Sequence, residues 1–248
     1  MTESSVWPLL LCMIVPFSYW IKFQRDKQHF LKLLAILGVL IVCVLLSDYF
    51  IVNATNDFES FMDRILSYSL LPFVLILIIF KGIFKDSSFL EFKKFSLGRQ
   101  GVVKTTRLFL YCIPIIIVLD VLIYLIMLQN LNNSRMGSTD FWNGGIYFFD
   151  AFNEEFLFRG ILFMVLLSLT SLRAAWVTSI AGFALAHTRY YLAEPSLIHY
   201  LPMLSVIVVA IITVEIARRS ENIIGSWLIH GSSNFISVTF LPVILGPM

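Results

Sequence analysis

The feature that most constrains the fold is a group of three ionisable side chains inside an apolar stretch running from Ile146 to about Leu169. Glu154, Glu155 and Arg159 lie together in that stretch, which has the length and composition of a membrane helix. A charge near the middle of a bilayer costs roughly 2.5–3.5 kcal/mol on insertion scales. Three such charges in one span therefore indicate a functional site within the membrane.

Composition agrees with an integral membrane protein. Hydrophobic residues make up 58% of the 248 residues and charged residues 14%, whereas soluble domains carry about 25% charged residues. The net charge of +2 is small, so the sequence predicts no nucleic-acid partner. Cys12, Cys43 and Cys112 lie in separate apolar runs, which predicts buried free thiols rather than a zinc cluster or a disulfide framework.

Apolar segments along the chain predict an all-α fold, a polytopic membrane bundle of about eight transmembrane helices. The segments are residues 6–21, 30–47, 65–80, 108–128, 146–169, 174–189, 199–217 and 223–241. The first has neither a basic start nor a cleavage pattern, so we predict a retained span rather than a signal peptide. We expect one structural domain, in which residues 1–145 supply the N-terminal spans and residues 146–248 form a catalytic core. Near residues 81–107, alternating Phe and Lys predict an amphipathic cytoplasmic loop.

Loop charges predict the orientation of the bundle. Fourteen basic residues follow spans one, three, five and seven: Lys22, Arg25, Lys27, Lys32, Lys81, Lys85, Lys93, Lys94, Arg99, Lys104, Arg107, Arg173, Arg218 and Arg219. The opposite loops hold three, Arg64, Arg135 and Arg189. The positive-inside rule then predicts that both termini face outwards. We accordingly expect a multi-pass protein of the plasma membrane.

Spacing along the helices suggests how the buried polar residues are used. Glu155 and Arg159 lie about 40° apart on one helix face, which predicts an ion pair that leaves Glu154 unpaired for acid–base chemistry. His187 lies near the end of span six, while His230 and Asn234 share a face of span eight. Counting about 1.5 Å per residue places these groups in the outer half of the bilayer, where they can meet. Polar residues at these spacings can also serve helix packing alone.

Three further acids occur in or beside the spans. Asp120 lies near the middle of span four and calls for a partner that the sequence does not identify. Asp150 precedes Glu154 by one turn, so it either tunes that carboxylate by like-charge repulsion or marks the helix entrance. Glu215 stands near Arg218 at a spacing that predicts an interfacial ion pair.

The polar residues fall into three motifs whose order and spacing resemble those of a known family. The motifs are Glu154-Glu155-x-x-x-Arg159, Phe183-x-x-x-His187 and His230-x-x-x-Asn234, the last preceded by the similar segment Asn222-Ile223-Ile224-Gly225-Ser226-Trp227. They resemble the CAAX prenyl endopeptidase and bacteriocin-processing family, also called CPBP or Abi, whose members are intramembrane proteases. The resemblance covers residues 147–240.

This resemblance implies a function and a role for each motif residue. The expected activity is hydrolysis of a peptide bond in a membrane-associated or lipid-modified protein or peptide, within membrane lipids. The implied catalytic residues are Glu154 and His187, which activate a water, and His230 and Asn234, which stabilise the oxyanion. The implied supporting residues are Glu155 and Arg159. CAAX processing takes place on the cytosolic side, so a site that opens outwards favours bacteriocin-type immunity or maturation of an exported protein instead.

Two alternatives stay open. His187, His230 and Glu154 together match a zinc site with an open fourth position, although the chain lacks a His-Glu-x-x-His motif. We favour a protein without a metal or other cofactor. The competing class is a non-enzymatic membrane scaffold, immunity or regulatory protein, in which the motif residues serve packing. A transporter fits less well, because the buried charges gather at one level.

Overall fold

A computed structural model of the chain describes residues 6–23, 27–53, 56–86, 99–130, 141–187 and 197–245. All regular secondary structure within these ranges is helical. The predicted all-α class is therefore confirmed. Three of the described stretches are long and apolar enough to cross a membrane: Lys27–Ser47, Asp57–Ile83 and Val102–Ile126. Leu10–Lys22 is apolar but shorter, and the total of eight spans stays a prediction.

The described helices are numbered α1 to α8 in chain order, and five of them are α-helical throughout. These are α1 (Val6–Lys22), α2 (Lys27–Asn53), α4 (Arg99–Asn130), α6 (Leu172–His187) and α7 (Leu197–Ser220). Helix α4 begins at Arg99 and includes residues 99–107, the last part of the segment predicted as an amphipathic cytoplasmic loop; that prediction stays a prediction. Residues 87–98 of that loop lie outside the described residues.

The other three helices contain π-helical segments. Helix α3 covers Asp57–Ile83, with π segments at Ile65–Leu70 and Leu77–Ile83. Helix α5 covers residues 141–169 and consists of Phe141–Glu155, the π segment Phe156–Phe163 and Met164–Leu169. Helix α8 covers residues 224–245 and consists of Ile224–Phe235, the π segment Ile236–Phe240 and Leu241–Leu245. π segments are rare and occur frequently at functional sites; the one in α5 follows Glu155 directly.

Helix α3 begins earlier than its hydrophobic pattern predicts. The apolar run starts at residue 65, but the helix starts at Asp57 because Asn56 caps it, its side chain accepting a hydrogen bond of 2.9 Å from the Glu59 backbone N–H. An Asn cap followed three residues later by Glu is a recognised helix start. The cap moves Arg64 from the predicted outer loop to a position about two turns inside a helix.

Helix α5 lies at the centre of the bundle. Its buried Leu157 and Leu162 belong to an apolar cluster that also contains Cys12 of α1 and Leu33 and Ile36 of α2. Helix α1 packs on α6 and α2, while α2 packs on α3 and the end of α5, so the cluster joins these helices in one apolar core.

Helices α5 and α8 approach each other closely. A Cβ atom at Gly231 of α8 would lie 2.7 Å from the Phe148 carbonyl oxygen of α5, closer than van der Waals contact allows. The Trp227 indole Nε1–H donates to the same carbonyl at 3.0 Å. This close contact brings the His230 side of α8 against the Glu154–Glu155 side of α5.

The turn between α7 and α8 is fixed by one amide. Asn222 Nδ2 donates to Thr105 Oγ1 of α4 at 3.2 Å and to the Ser220 carbonyl at 2.9 Å. Its Oδ1 accepts from the Ile224 backbone N–H at 3.0 Å. The start of α8, and with it the height of His230, is thereby tied to two neighbouring helices.

Candidate active site

Three helices bring the predicted acid and both imidazoles together. His187 Nε2 lies 3.6 Å from Glu154 Oε2, and His230 Nε2 lies 3.8 Å from the same oxygen. These separations exceed direct hydrogen-bond length but are short enough for one small molecule to contact all three atoms. Glu154 and His187 keep 12% and 20% of their side-chain surface exposed, and His230 keeps 7%. The cluster is therefore partly accessible from outside the protein.

The second nitrogen of each imidazole is held by an acceptor. His187 Nδ1 lies 2.8 Å from the Phe183 carbonyl oxygen, and His230 Nδ1 lies 3.0 Å from Glu155 Oε1. A carbonyl and an ionised carboxylate can only accept, so both Nδ1 atoms carry a proton and donate. Each ring is thereby oriented with Nε2 directed towards Glu154.

The i, i+4 ion pair expected within α5 is present and fully buried. Arg159 Nε lies 3.2 Å from Glu155 Oε2, and neither side chain has exposed surface. Arg159 Nη2 also donates to Thr213 Oγ1 and, at 3.3 Å, to the Ala210 carbonyl of α7. A buried charge pair is tolerated when further hydrogen bonds satisfy it, and here the pair also positions His230 through Glu155.

The Phe183 ring packs against the Arg159 guanidinium and against both imidazoles. The Arg159 guanidinium carbon lies 4.2 Å from the ring centroid, a cation–π contact. The same ring lies 4.5 Å from the His187 ring and 5.4 Å from the His230 ring, measured between centroids. Sequence reasoning assigned Phe183 no role beyond its motif, whereas the structure shows that it packs against all three groups.

Glu154 is not the unpaired carboxylate that the sequence predicted. Arg64 Nη1 of α3 lies 3.0 Å from Glu154 Oε1 and also contacts the Asp150 carboxylate. Asp150 is thus an ion-pair partner and not a marker of the helix entrance, which lies further back at Phe141. Sequence reasoning missed Arg64 because it placed this residue in a loop. The Asn56–Glu59 capping pattern is the signal that would have placed it on a helix.

The remaining polar residues of α8 contact neighbouring helices. Asn234 Nδ2 lies 3.4 Å from the Tyr147 carbonyl oxygen of α5, and the predicted oxyanion role of this amide stays a prediction. Ser233 Oγ donates to Asp120 Oδ2 at 2.8 Å. This hydrogen bond from α8 to α4 identifies the partner that Asp120 required.

Two further expectations concern ions. Glu215 pairs with Arg218, as expected, and with Arg219, each at 2.6 Å. Among the residues that the structure describes, no group of three His, Cys, Asp or Glu side chains has the arrangement of a metal site. The set named for zinc does converge on the Glu154 carboxylate, whose second oxygen faces the Arg64 guanidinium.

Comparison with known proteins identifies the part of the chain that carries this site. No curated protein and no solved structure has significant similarity to the chain. Residues 140–236 match the family model described as type II CAAX prenyl endopeptidase Rce1-like. The match contains every predicted motif residue and excludes Arg64. For the segment that forms the site, the match confirms the family predicted from the motifs; that family consists of intramembrane endopeptidases, which are integral membrane proteins.

Proposed function

We propose that the protein hydrolyses a peptide bond of a membrane-associated or lipid-modified protein or peptide, with a water activated by Glu154 and His187. The observation that carries the proposal is the convergence of two Nε2 atoms on one oxygen of Glu154. Acid–base chemistry needs groups within hydrogen-bond reach of a shared reactant, directly or through one water. A water that contacts Glu154 Oε2 and His187 Nε2 satisfies this condition.

The proposed reaction balances with these groups alone. Glu154 Oε2 takes a proton from the water while the water oxygen forms a bond to the carbonyl carbon of the substrate. The C–N bond then breaks, and the proton held by Glu154 passes to the departing amine. Proton transfers by positioned side chains contribute about 10²–10⁴ in rate each.

His230 and Asn234 supply the proposed donors for the oxyanion. When His230 carries a second proton, its Nε2–H is a donor 3.8 Å from Glu154 Oε2, and Glu155 balances the charge. Asn234 has two amide hydrogens, so a donor remains beside the one directed at Tyr147. Removal of one such donor costs about 10²–10³ in kcat where it has been measured in other enzymes.

We further propose that this hydrolysis uses no metal ion. Arg64 places a positive charge 3.0 Å from Glu154, and a divalent cation on the same carboxylate would be repelled by it. If zinc were bound, His187, His230 and Glu154 would hold it, and it would supply water activation in place of Glu154. Retention of activity in strong chelators, with no stoichiometric metal in the purified protein, is the expected result. Chelator inactivation that added zinc reverses would contradict it.

The central test uses the full-length protein in lipid vesicles with S-prenylated and unmodified peptides in H₂¹⁸O. Mass spectrometry should show one ¹⁸O atom in the new carboxylate for each cleavage. Glu154→Gln and His187→Ala should abolish cleavage at normal protein levels. Glu215→Gln, which alters an exposed ion pair, is the matched control and should remain active. Full biological activity in Glu154→Gln would favour the scaffold, immunity or regulatory alternative.

The natural substrate can be sought with the same variant. The membrane proteomes of cells that produce wild-type protein or Glu154→Gln should differ in one or a few precursors that accumulate in the variant. Precursors exposed outside the plasma membrane would agree with the proposed outward-facing site, and prenylated cytosolic precursors would overturn that orientation.

A further inference from the structure

We propose that Arg64, held by Asp150, is a positioning residue that fixes the angle and position of the Glu154 carboxylate against the two imidazoles. This inference rests on the proposed hydrolytic function and extends it to α3, outside the segment that matches the family model. The N-terminal part of the chain then completes the active site and is more than a membrane anchor.

The Glu154 carboxylate is held from both sides. Oε1 lies 3.0 Å from Arg64 Nη1, whereas Oε2 faces His187 and His230. The terminal torsion of a glutamate is broad, so an unrestrained carboxylate would sample angles at which neither oxygen faces the imidazoles. A charge-assisted hydrogen bond to one oxygen removes that freedom.

Arg64 also offsets the repulsion between two acids of α5. Asp150 and Glu154 are one turn apart on α5, and like charges at that spacing repel each other. One guanidinium nitrogen contacts both carboxylates. Arg64 therefore allows two neighbouring acids in α5 to remain ionised at one site. Without it, either the carboxylates separate or one takes up a proton.

Asp150 is itself held in place from α3. Ser69 Oγ donates to Asn153 Oδ1 at 2.7 Å, and Asn153 Nδ2 lies 3.4 Å from Asp150 Oδ1. The second oxygen of Asp150 contacts Arg64. Two points on α3 thus hold the same acid, and the arginine is restrained at the angle that suits Glu154.

Kinetics of Arg64→Gln and Arg64→Lys in the vesicle assay test the proposal. A misplacement of about 1 Å at a catalytic group can cost about 100-fold in rate. We expect Arg64→Gln to lower kcat by about that factor with KM nearly unchanged, and Arg64→Lys to retain part of the activity. In Arg64→Ala, added guanidinium ion should restore activity in part, which a purely structural role would not allow. Arg218→Gln, which breaks an exposed arginine–glutamate pair, is the matched control.

Each outcome separates the positioning role from the underlying function. Wild-type kcat in Arg64→Gln, with Glu154→Gln inactive, would overturn the positioning role alone. A raised KM with unchanged kcat would also overturn it, since Arg64 would then bind substrate. A wild-type protein that cleaves no peptide and no membrane precursor would overturn the proposed function and the positioning role with it. If Arg64→Gln misfolds, as judged by reaction of buried Cys12 and Cys43 with a thiol dye, Arg64→Lys carries the test.

Discussion

Replacing Glu155 by glutamine keeps the size of the side chain but removes its charge from a fully buried site. The carboxylate serves two partners, Arg159 at 3.2 Å and His230 Nδ1 at 3.0 Å. A guanidinium has only donors, so the amide oxygen of the new side chain should turn towards Arg159. Its NH₂ group then faces the Nδ1–H of His230, where two donors oppose each other.

The size of the effect follows from the burial of the pair. Removing one partner of a buried ion pair costs about 3–5 kcal/mol, because the other charge is left uncompensated. In a chain of this size each kcal/mol shifts the unfolding temperature by about 2–4 °C. The unfolding temperature of Glu155→Gln should therefore lie roughly 10 °C below that of the wild-type protein. Loss of the His230 donor should lower kcat by about 10²–10³.

A double variant separates the two effects. Glu155→Gln/Arg159→Met removes the uncompensated charge and fills a similar volume, and such replacements are often neutral or stabilising. It should regain most of the lost unfolding temperature. With Arg159 removed, the amide oxygen can accept from His230 Nδ1–H, but no carboxylate balances a second proton on that ring, so activity should stay low. Unfolding can be followed with a thiol-reactive dye, since Cys12 and Cys43 are buried. An unfolding temperature and a cleavage rate equal to those of wild type in the single variant would refute the reasoning.

Two further predictions concern single contacts, and a third concerns the orientation in the membrane. Asp120→Ala should lower the free energy of unfolding by about 1–3 kcal/mol, because it removes the acceptor of the Ser233 hydroxyl. Asp120→Asn keeps an acceptor and should lower this free energy by less. Denaturation in detergent measures both variants. Gly231→Ala should cost about 1–3 kcal/mol in the same assay, since its methyl group would overlap a carbonyl oxygen of α5. Introduced cysteines should label from outside at Asp57 and only after permeabilisation at Lys85, and external labelling of position 85 would reverse the predicted orientation.

Residue spacing predicted the ion pair within one helix and the depth of the acid and the two imidazoles on their separate helices. The i, i+4 geometry was sufficient for the Glu155–Arg159 pair, and counting residues from the ends of the spans placed Glu154, His187 and His230 at levels where they meet. These inferences depend only on helix rise and rotation. The all-helical class followed in the same way from the apolar segments.

Contacts between helices that are distant in the sequence could not be predicted from residue spacing. The partner of Asp120 is Ser233, and that of Glu154 is Arg64, each supplied by another helix whose rotation the sequence does not reveal. Helix α4 runs from residue 99, and the π segment after Glu155 departs from the 3.6-residue period assumed for α5. Hydrophobicity marks the part of a helix that can lie in lipid, whereas caps and polar contacts set where the helix begins and ends.

The position of Arg64 has a consequence for the exchange of parts between related proteins. A hybrid joined at residue 140 would inherit all three motifs but take its α3 from another chain. Unless that chain also places a cation opposite position 154, two acids of α5 would face each other without a counter-ion. Functional hybrids of this protein should therefore be joined before residue 56, so that α3 with Arg64 comes from the same chain as the three motifs.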